Sequence, residues 1–215
     1  MISPSSSLCP DLPLRDNLRF YLLVSSSRLF WSFIDILTHN MPALSTRYEN
    51  VIEDDYLDEY RNLSITPLTR ILHIGCGAYP LTDIILAQYF SPKIIVGIDS
   101  SKHTVDKARS VVQKQGLNHK ISIEHGDGQD YDASGFDVVI VSSCCWPKIP
   151  ILHHLYSTVK PGCLLLVREL DMNVEPVLHC MKSHSTILIH SQTSHHPSPF
   201  FYPIGWQTFV LEKLR

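Results

Sequence analysis

No block of like charge, no internal repeat and no C-x-x-C pair occurs anywhere in this 215-residue chain. The missing basic block matters because nucleic-acid binding needs a basic face, and the net charge here is −3. No nucleic-acid partner is expected. The six cysteines are Cys9, Cys76, Cys144, Cys145, Cys163 and Cys180. Without C-x-x-C spacing they read as free thiols filling small core positions in a reducing cytoplasm, not as metal ligands. A membrane-spanning run is also lacking. Phe20–Leu37 is apolar in part, but Ser25-Ser26-Ser27-Arg28 and Asp35 interrupt it, whereas a spanning helix needs about 20 mostly apolar residues. No clear small-residue cleavage site marks it as a signal peptide. It reads as an amphipathic helix packed on the domain, an interfacial helix being the alternative. What remains is a cytoplasmic globular protein, 44% hydrophobic and 18% charged, long enough for one full core plus a modest extension.

The chain divides near residue 66. Residues 1–66 form an N-terminal tail and helical extension or lid, and residues 67–215 form the main domain. Met1–Pro13 is a Ser/Pro-rich tail. Asp16 to about His39 is a helical pattern, and Tyr48 to about Asn62 a second. The second is acidic, with Glu49, Glu53, Asp54, Asp55, Asp58 and Glu59, and reads by default as a solvated face.

From Arg70 onward strands and helices alternate. Strands are expected at Arg70–Ile74, Lys93–Ile98, Lys120–Glu124, Asp137–Ser142 and Cys163–Arg168. Helices are expected at Leu81–Phe90, His103–Gln115 and Ile149–Val159. Ser100 or Ser101 caps the second helix, Gly116 stops it, and Pro150 fits the first turn of the third. Short loops and βα alternation predict a doubly wound, Rossmann-like, mostly parallel sheet. Thr186–His190 and Gln207–Lys213 read as two more strands, with a polar loop, Ser191–Gly205, between them and no helix. Such a pair must be antiparallel. A seven-stranded parallel sheet closed by a C-terminal antiparallel pair, behind a short helical extension, resembles the S-adenosylmethionine-dependent methyltransferase fold (class α/β).

The chemistry is concentrated at Ile71–Thr82, where an apolar strand runs into Gly75-Cys76-Gly77 and then into a helical pattern. A glycine turn between strand and helix is where open α/β sheets bind nucleotides. The dinucleotide fingerprint wants a third glycine, and Pro80 stands there, which counts against a nicotinamide cofactor. The next strand ends in Asp99, placed to accept from both hydroxyls of an adenosine ribose. Asp127, in Gly126-Asp127-Gly128 after the third strand, is placed for the adenine amino group. Ser142–Lys148, after the fourth strand, would lie over a reacting sulfonium. Each acid has a plainer reading: Asp99 as part of a helix cap, Asp127 as an Asx-turn. Together they point to S-adenosylmethionine, held by Gly75, Cys76, Gly77, Tyr79, Pro80, Asp99, Ser100, Gly126, Asp127, Gly128 and Ser142.

Ordinary methyltransferases carry an acid two residues before the first glycine, where this chain has His73. Gly75-Cys76-Gly77-Ala78-Tyr79-Pro80-Leu81-Thr82 instead resembles the G-x-G-x-x-P-L-T turn of nicotianamine synthases. The likeness runs from about Tyr48 to Arg168. Tyr48-Glu49-Asn50 is similar to part of the family's aromatic segment ahead of the sheet. Phe136-Asp137-Val138-Val139 and Pro147-Lys148 are similar to its fourth strand and following turn. The resemblance implies transfer of the 3-amino-3-carboxypropyl group of S-adenosylmethionine to an amine-bearing small molecule or amino acid, releasing methylthioadenosine. It carries Tyr48 over as a catalytic residue, with Glu49 and Glu53 as neighbouring candidates for the base. Arg168 matches an arginine at the end of the fifth strand, where it would hold a substrate carboxylate or lie exposed. Ordinary methyl transfer and non-catalytic cofactor binding are the alternative functions. His195-His196, in the polar loop, lacks metal-ligand spacing, and no metal is expected.

Overall fold

The computed structural model describes residues 55–61, 63–195 and 205–214. Residues 55–61 are helical. Then follow β1 (Arg70–Ile74), α1 (Leu81–Ile85, continued as a wide π turn over Leu86–Phe90), β2 (Ile94–Asp99), α2 (Lys102–Lys114) and β3 (Ile121–His125). β4 (Val138–Val141), α3 (Lys148–Thr158), β5 (Leu164–Leu170), α4 (Val174–Ser183), β6 (Ile187–His195) and β7 (Trp206–Lys213) complete the order, with one 3-10 turn at Asp171–Asn173. From Arg70 onward the expected strands and helices are all present, most within a few residues; the helix expected from Asp16 to about His39, and the second one before residue 55, lie outside the described residues. α4 is an addition to the expected elements; it turns Val174, Val177, Cys180 and Met181 inward.

The seven strands form one sheet in the order β3-β2-β1-β4-β5-β7-β6. β1 pairs in parallel with both β2 and β4, and β7 is antiparallel to β5 and β6. The central strands are apolar throughout because both faces are covered. One face carries Leu72, Ile74, Val139 and Val141 against Leu152 and Leu155 of α3 and Val177 and Met181 of α4. The other carries Ile71, Ile95 and Ile140 against α1, α2, Tyr60 and Leu63. β6 is one of the two edge strands, and its outer half, Ser191–Ser194, is exposed and polar, which suits an edge that must not recruit another chain.

Two departures concern residues that matter below. The acidic helix is not uniformly solvated: Asp58 is exposed, but Glu59 is buried. β6 runs five residues further than expected, so His195 is not in a loop; it is buried against Trp206. Met172's side chain and residues 196–204 lie outside the description. Among the described residues no helix is long and apolar enough to cross a membrane.

Strand order reverses between β1 and β4, which opens a crevice at the carboxyl ends of the strands. Beside it, His73 of β1 faces Gly97 of β2. Gly97 is needed for space: a Cβ there would lie 2.5 Å from Asp83 Oδ2 and 2.9 Å from Ile123 Cδ1. Gly97→Ala is therefore expected to cost about 1–3 kcal/mol through overpacking, seen as a lowered Tm with an unchanged denaturant m-value.

Candidate active site

The glycine turn is tied to the neighbouring strand by its own backbone. Gly75 N and Cys76 N both donate to Ile98 O, at 2.8 and 3.0 Å. Gly75 and Gly77 have φ of 79° and 71°, values that side chains other than glycine seldom adopt. Gly77 N then donates to Asp99 Oδ2 at 3.3 Å, and Ser101 N to Asp99 Oδ1 at 2.9 Å. Gly126 N donates to Asp99 O at 3.1 Å. Asp99 thus joins the loops after β1, β2 and β3. Ser101, not Ser100, caps α2, accepting from Thr104 N. Ser100 is exposed, Tyr79 is half-buried and Pro80 is buried at the N-terminus of α1.

Asp127 is exposed, and its Oδ1 accepts from Gln129 N at 2.9 Å, which is an Asx-turn. Gly126 and Gly128 are small for packing: a Cβ on Gly128 would meet Ile74 Cγ2 at 2.6 Å, and one on Gly126 would meet Tyr131 Cδ2 at 2.8 Å. Ser142 closes the crevice on the β4 side. Its backbone N donates to Ile74 O at 3.1 Å. Lys148, buried in the first turn of α3, donates from Nζ to Ser142 O and to Arg168 O.

A buried polar hub lies on the α1 side of this crevice. Arg168 is 3% exposed and lies within β5, not at an open strand end. Its Nε and Nη2 donate to Glu59 Oε2 at 2.8 and 2.6 Å. Its Nη1 donates to Thr82 Oγ1 at 3.1 Å, and Nη2 also donates to Tyr60 Oη. The Tyr56 ring stacks on the guanidinium, with Arg168 Cζ 4.0 Å from its centroid. Glu59 Oε1 accepts from Thr208 Oγ1 at 2.5 Å and Trp206 Nε1 at 3.2 Å. His195 stacks on Trp206 at 4.8 Å and brings Nε2 3.3 Å from Glu59 Oε1, without a hydrogen bond. Burial holds the Tyr60 hydroxyl protonated well past its ordinary range, and raises Tyr56 as well. Burial alone would lower Arg168, but Glu59 and the two tyrosines outweigh it and hold the guanidinium charged.

A second buried chain of groups adjoins the first. Asp83 Oδ1 lies 2.7 Å from His73 Nδ1, and His73 Nε2 lies 2.7 Å from Ser142 Oγ. Burial pushes the Cys76 thiol well up, and a hydrogen bond with Cys144, then burial, do the same for Cys145, so neither is a ready nucleophile. The described cysteines are free, and among the described residues no His, Cys, Asp and Glu group could hold a metal ion.

The structure brings together the glycine turn, Asp99, the Gly126–Gly128 loop, Ser142 and Arg168. Tyr48, Glu49 and Glu53 lie outside the described residues. Sequence reasoning missed Glu59, Tyr56, Tyr60, Thr82, Asp83 and Trp206. A signal for the first three was present. Tyr56, Glu59, Tyr60 and Leu63 recur at i, i+3, i+4 and i+7, the stripe that a helix turns inward.

Fold and crevice together define the class: this is a class I methyltransferase fold, with a proline-containing turn where dinucleotide enzymes carry a third glycine. Residues 44–199 match the family model described as nicotianamine synthase protein. The chain belongs to the nicotianamine synthase family. In fold it is similar to a crystal structure of a point mutant of MtNAS, with a TM-score of 0.73, 16% identity, and coverage of 94% of this chain and 80% of that one. It is similar also to such a mutant in complex with S-adenosylmethionine, with a TM-score of 0.70, 14% identity, and coverage of 90% and 76%. Among curated sequences, carboxy-S-adenosyl-L-methionine synthase of Alteromonas mediterranea is 28% identical over 164 residues. That match covers 73% of this chain, which spans 62% of the length of that relative.

Proposed function

We propose that this chain moves the 3-amino-3-carboxypropyl group of S-adenosylmethionine onto an amine-bearing small molecule or amino acid and releases methylthioadenosine. The observation that carries the reading is Thr82. It ends the Gly75–Thr82 turn that resembles the family's, and it accepts from Arg168 Nη1 at 3.1 Å and Tyr60 Oη at 3.3 Å. The distinctive turn is thereby built into the Glu59–Arg168 hub, a charged and aromatic wall that a simple methyl donor site does not require.

The residues present fit the cofactor. Asp99 offers a half-exposed carboxylate at the end of β2 for paired ribose hydroxyls. The positive-φ Gly75 and Gly77 let backbone approach closely. The Gly126–Gly128 loop would border the adenine, and Ser142 the other end. When bound, the cofactor supplies a sulfonium whose attached carbons are open to attack. The protein's task is to hold one of them in line with the acceptor nitrogen. Arg168 holds Glu59 in place through two hydrogen bonds, and Glu59 in turn aligns Thr208, Trp206 and the helical segment 55–61. With four donors already on its oxygens, Glu59 orients the wall and supplies negative charge beside it. The acceptor amine must shed a proton before attack, a task proposed for Tyr48 with Glu49 or Glu53.

Mass spectrometry of the nucleoside product tests this. Incubation with S-adenosylmethionine and a pool of amino acids and small amines is expected to give enzyme-dependent methylthioadenosine. S-adenosylhomocysteine instead would mean methyl transfer, and binding without either product a non-catalytic protein.

A further inference from the structure

The turn after β4 sets two adjacent cysteines against the glycine turn. Cys145 N donates to Ser142 O at 3.1 Å, which closes the turn, and Ser142 N donates to Ile74 O at 3.1 Å, which ties it to the end of β1. Both sulfurs then lie over Gly75. A Cβ on Gly75 would be 2.3 Å from Cys145 Sγ and 3.7 Å from Cys144 Sγ. The two thiols also share a hydrogen bond. Each has a carbonyl of the same strand end in reach, Ile74 O at 3.0 Å from Cys145 Sγ and Gly75 O at 3.9 Å from Cys144 Sγ. They differ in access. Cys145 is buried and Cys144 half-buried, so the pair opens on the Cys144 side.

Two sulfurs within hydrogen-bond reach are spaced for one atom that bonds both. That atom must be soft, because thiol sulfur is a soft ligand. Cys76 is not part of the set. It packs on the opposite face of the sheet from Cys145, and its Cβ lies against Gly97, where an added Cβ would meet it at 3.1 Å. Among the described residues no third His, Cys, Asp or Glu joins the pair to hold a metal ion. The site therefore suits a centre that needs only two protein ligands. Trivalent arsenic carrying one organic group has that need, with two bonds to sulfur and one to carbon.

We propose that Cys144 and Cys145 form a two-sulfur site for trivalent organoarsenic, and that its occupation displaces S-adenosylmethionine. The displacement rests on the cofactor reading above. Cys144, the more accessible thiol, attacks first, and Cys145 closes the ring. With phenylarsine oxide two arsenic–sulfur bonds form and the arsenic–oxygen bond breaks. The two thiol protons leave with that oxygen as one water. Arsenic stays trivalent, so no oxidant or reductant takes part. The phenyl group must leave on the open Cys144 side, beside Gly75, where the cofactor backbone contacts are placed.

Intact-mass spectrometry of the full chain, treated with phenylarsine oxide and then with excess glutathione, tests the site. A monothiol strips an adduct held by one sulfur and spares a two-sulfur ring. Wild type, Cys76→Ser and Cys180→Ser are expected to retain one phenylarsenic group, and Cys144→Ser and Cys145→Ser none. A wild-type chain that retains none, retention by either serine variant of the pair, or loss in Cys76→Ser would each overturn the site. Should Cys145→Ser fail to fold, seen in its thermal unfolding, Cys144→Ser at the half-buried position carries the test. Calorimetry then compares S-adenosylmethionine binding before and after modification. Kd is expected to rise at least tenfold and to return when dimercaprol, a competing dithiol, removes the arsenic. Unchanged affinity overturns the displacement. An unmodified chain that does not bind S-adenosylmethionine overturns the cofactor reading and the displacement with it, while the mass result still decides the two-sulfur site.

Discussion

Arg168→Ala is expected to be the most damaging single substitution in the chain, costing the folded state about 3–5 kcal/mol, the range for removing one partner of a buried ion pair. The guanidinium is enclosed, with Glu59 on two nitrogens, Thr82 and Tyr60 on its edges and the Tyr56 ring on its face. Its loss leaves Glu59 charged and buried, held only by the neutral donors Thr208 and Trp206. It also removes the packing that the arginine stem provides. For a chain of this size, each kcal/mol lowers Tm by roughly 2–4 °C, so a drop of about 6–20 °C should appear in a thermal melt. Glu59→Gln should be similarly harmful, because it strands Arg168 instead. The double variant should then cost less than the sum of the singles, since neither charge is left without its partner. A single-variant loss below about 1 kcal/mol would place the pair among solvated surface ion pairs. It would also detach the helical segment 55–61 from β5.

The second large effect concerns binding, with little change in stability. Asp99→Ala should weaken S-adenosylmethionine binding by roughly 100-fold or more. Two hydrogen bonds from ribose hydroxyls to a carboxylate are worth about 1.5–3 kcal/mol each, and each 1.4 kcal/mol is about tenfold in Kd. Asp99 is half-exposed, and its carboxylate accepts from the backbone N–H groups of Gly77 and Ser101 at loop positions. The two hydrogen bonds that Asp99→Ala would remove from Gly77 and Ser101 lie in loops. Calorimetry with a parallel thermal melt measures both quantities. Affinity within threefold of wild type would show that the ribose is held elsewhere, and the whole cofactor placement along β3-β2-β1-β4 would have to shift.

Much of this was legible from the linear pattern. Apolar runs of strand length alternating with helical stripes, broken at Gly116 and Pro161-Gly162, led to the doubly wound sheet. The missing helix between the last two strands led to their antiparallel pairing. These are local periodicities, and a chain states them residue by residue. The Gly75–Thr82 turn was legible for the same reason, since its glycines, proline and threonine are contiguous. The 55–61 helix was legible as a helix but misread as to its face. An acidic run is usually solvated, and here all four hydrogen bonds that hold Glu59 inside come from residues more than 100 positions away, Arg168, Trp206 and Thr208. α4 is less legible because Pro176 stands in its first turn, although Val174, Val177 and Met181 carry a helical spacing.

By itself, then, the sequence determined the α/β class, the position of the glycine turn and the acid at the end of β2, because each rests on spacing within a few residues. Only the tertiary structure decided which charges are buried and what they face. It turned Arg168 inward onto Glu59, extended β6 to bring His195 onto Trp206, and placed Asp83, His73 and Ser142 in line. Those outcomes depend on sheet order and strand register. The charges stay buried because, once desolvated, each is held by partners supplied from distant parts of the chain.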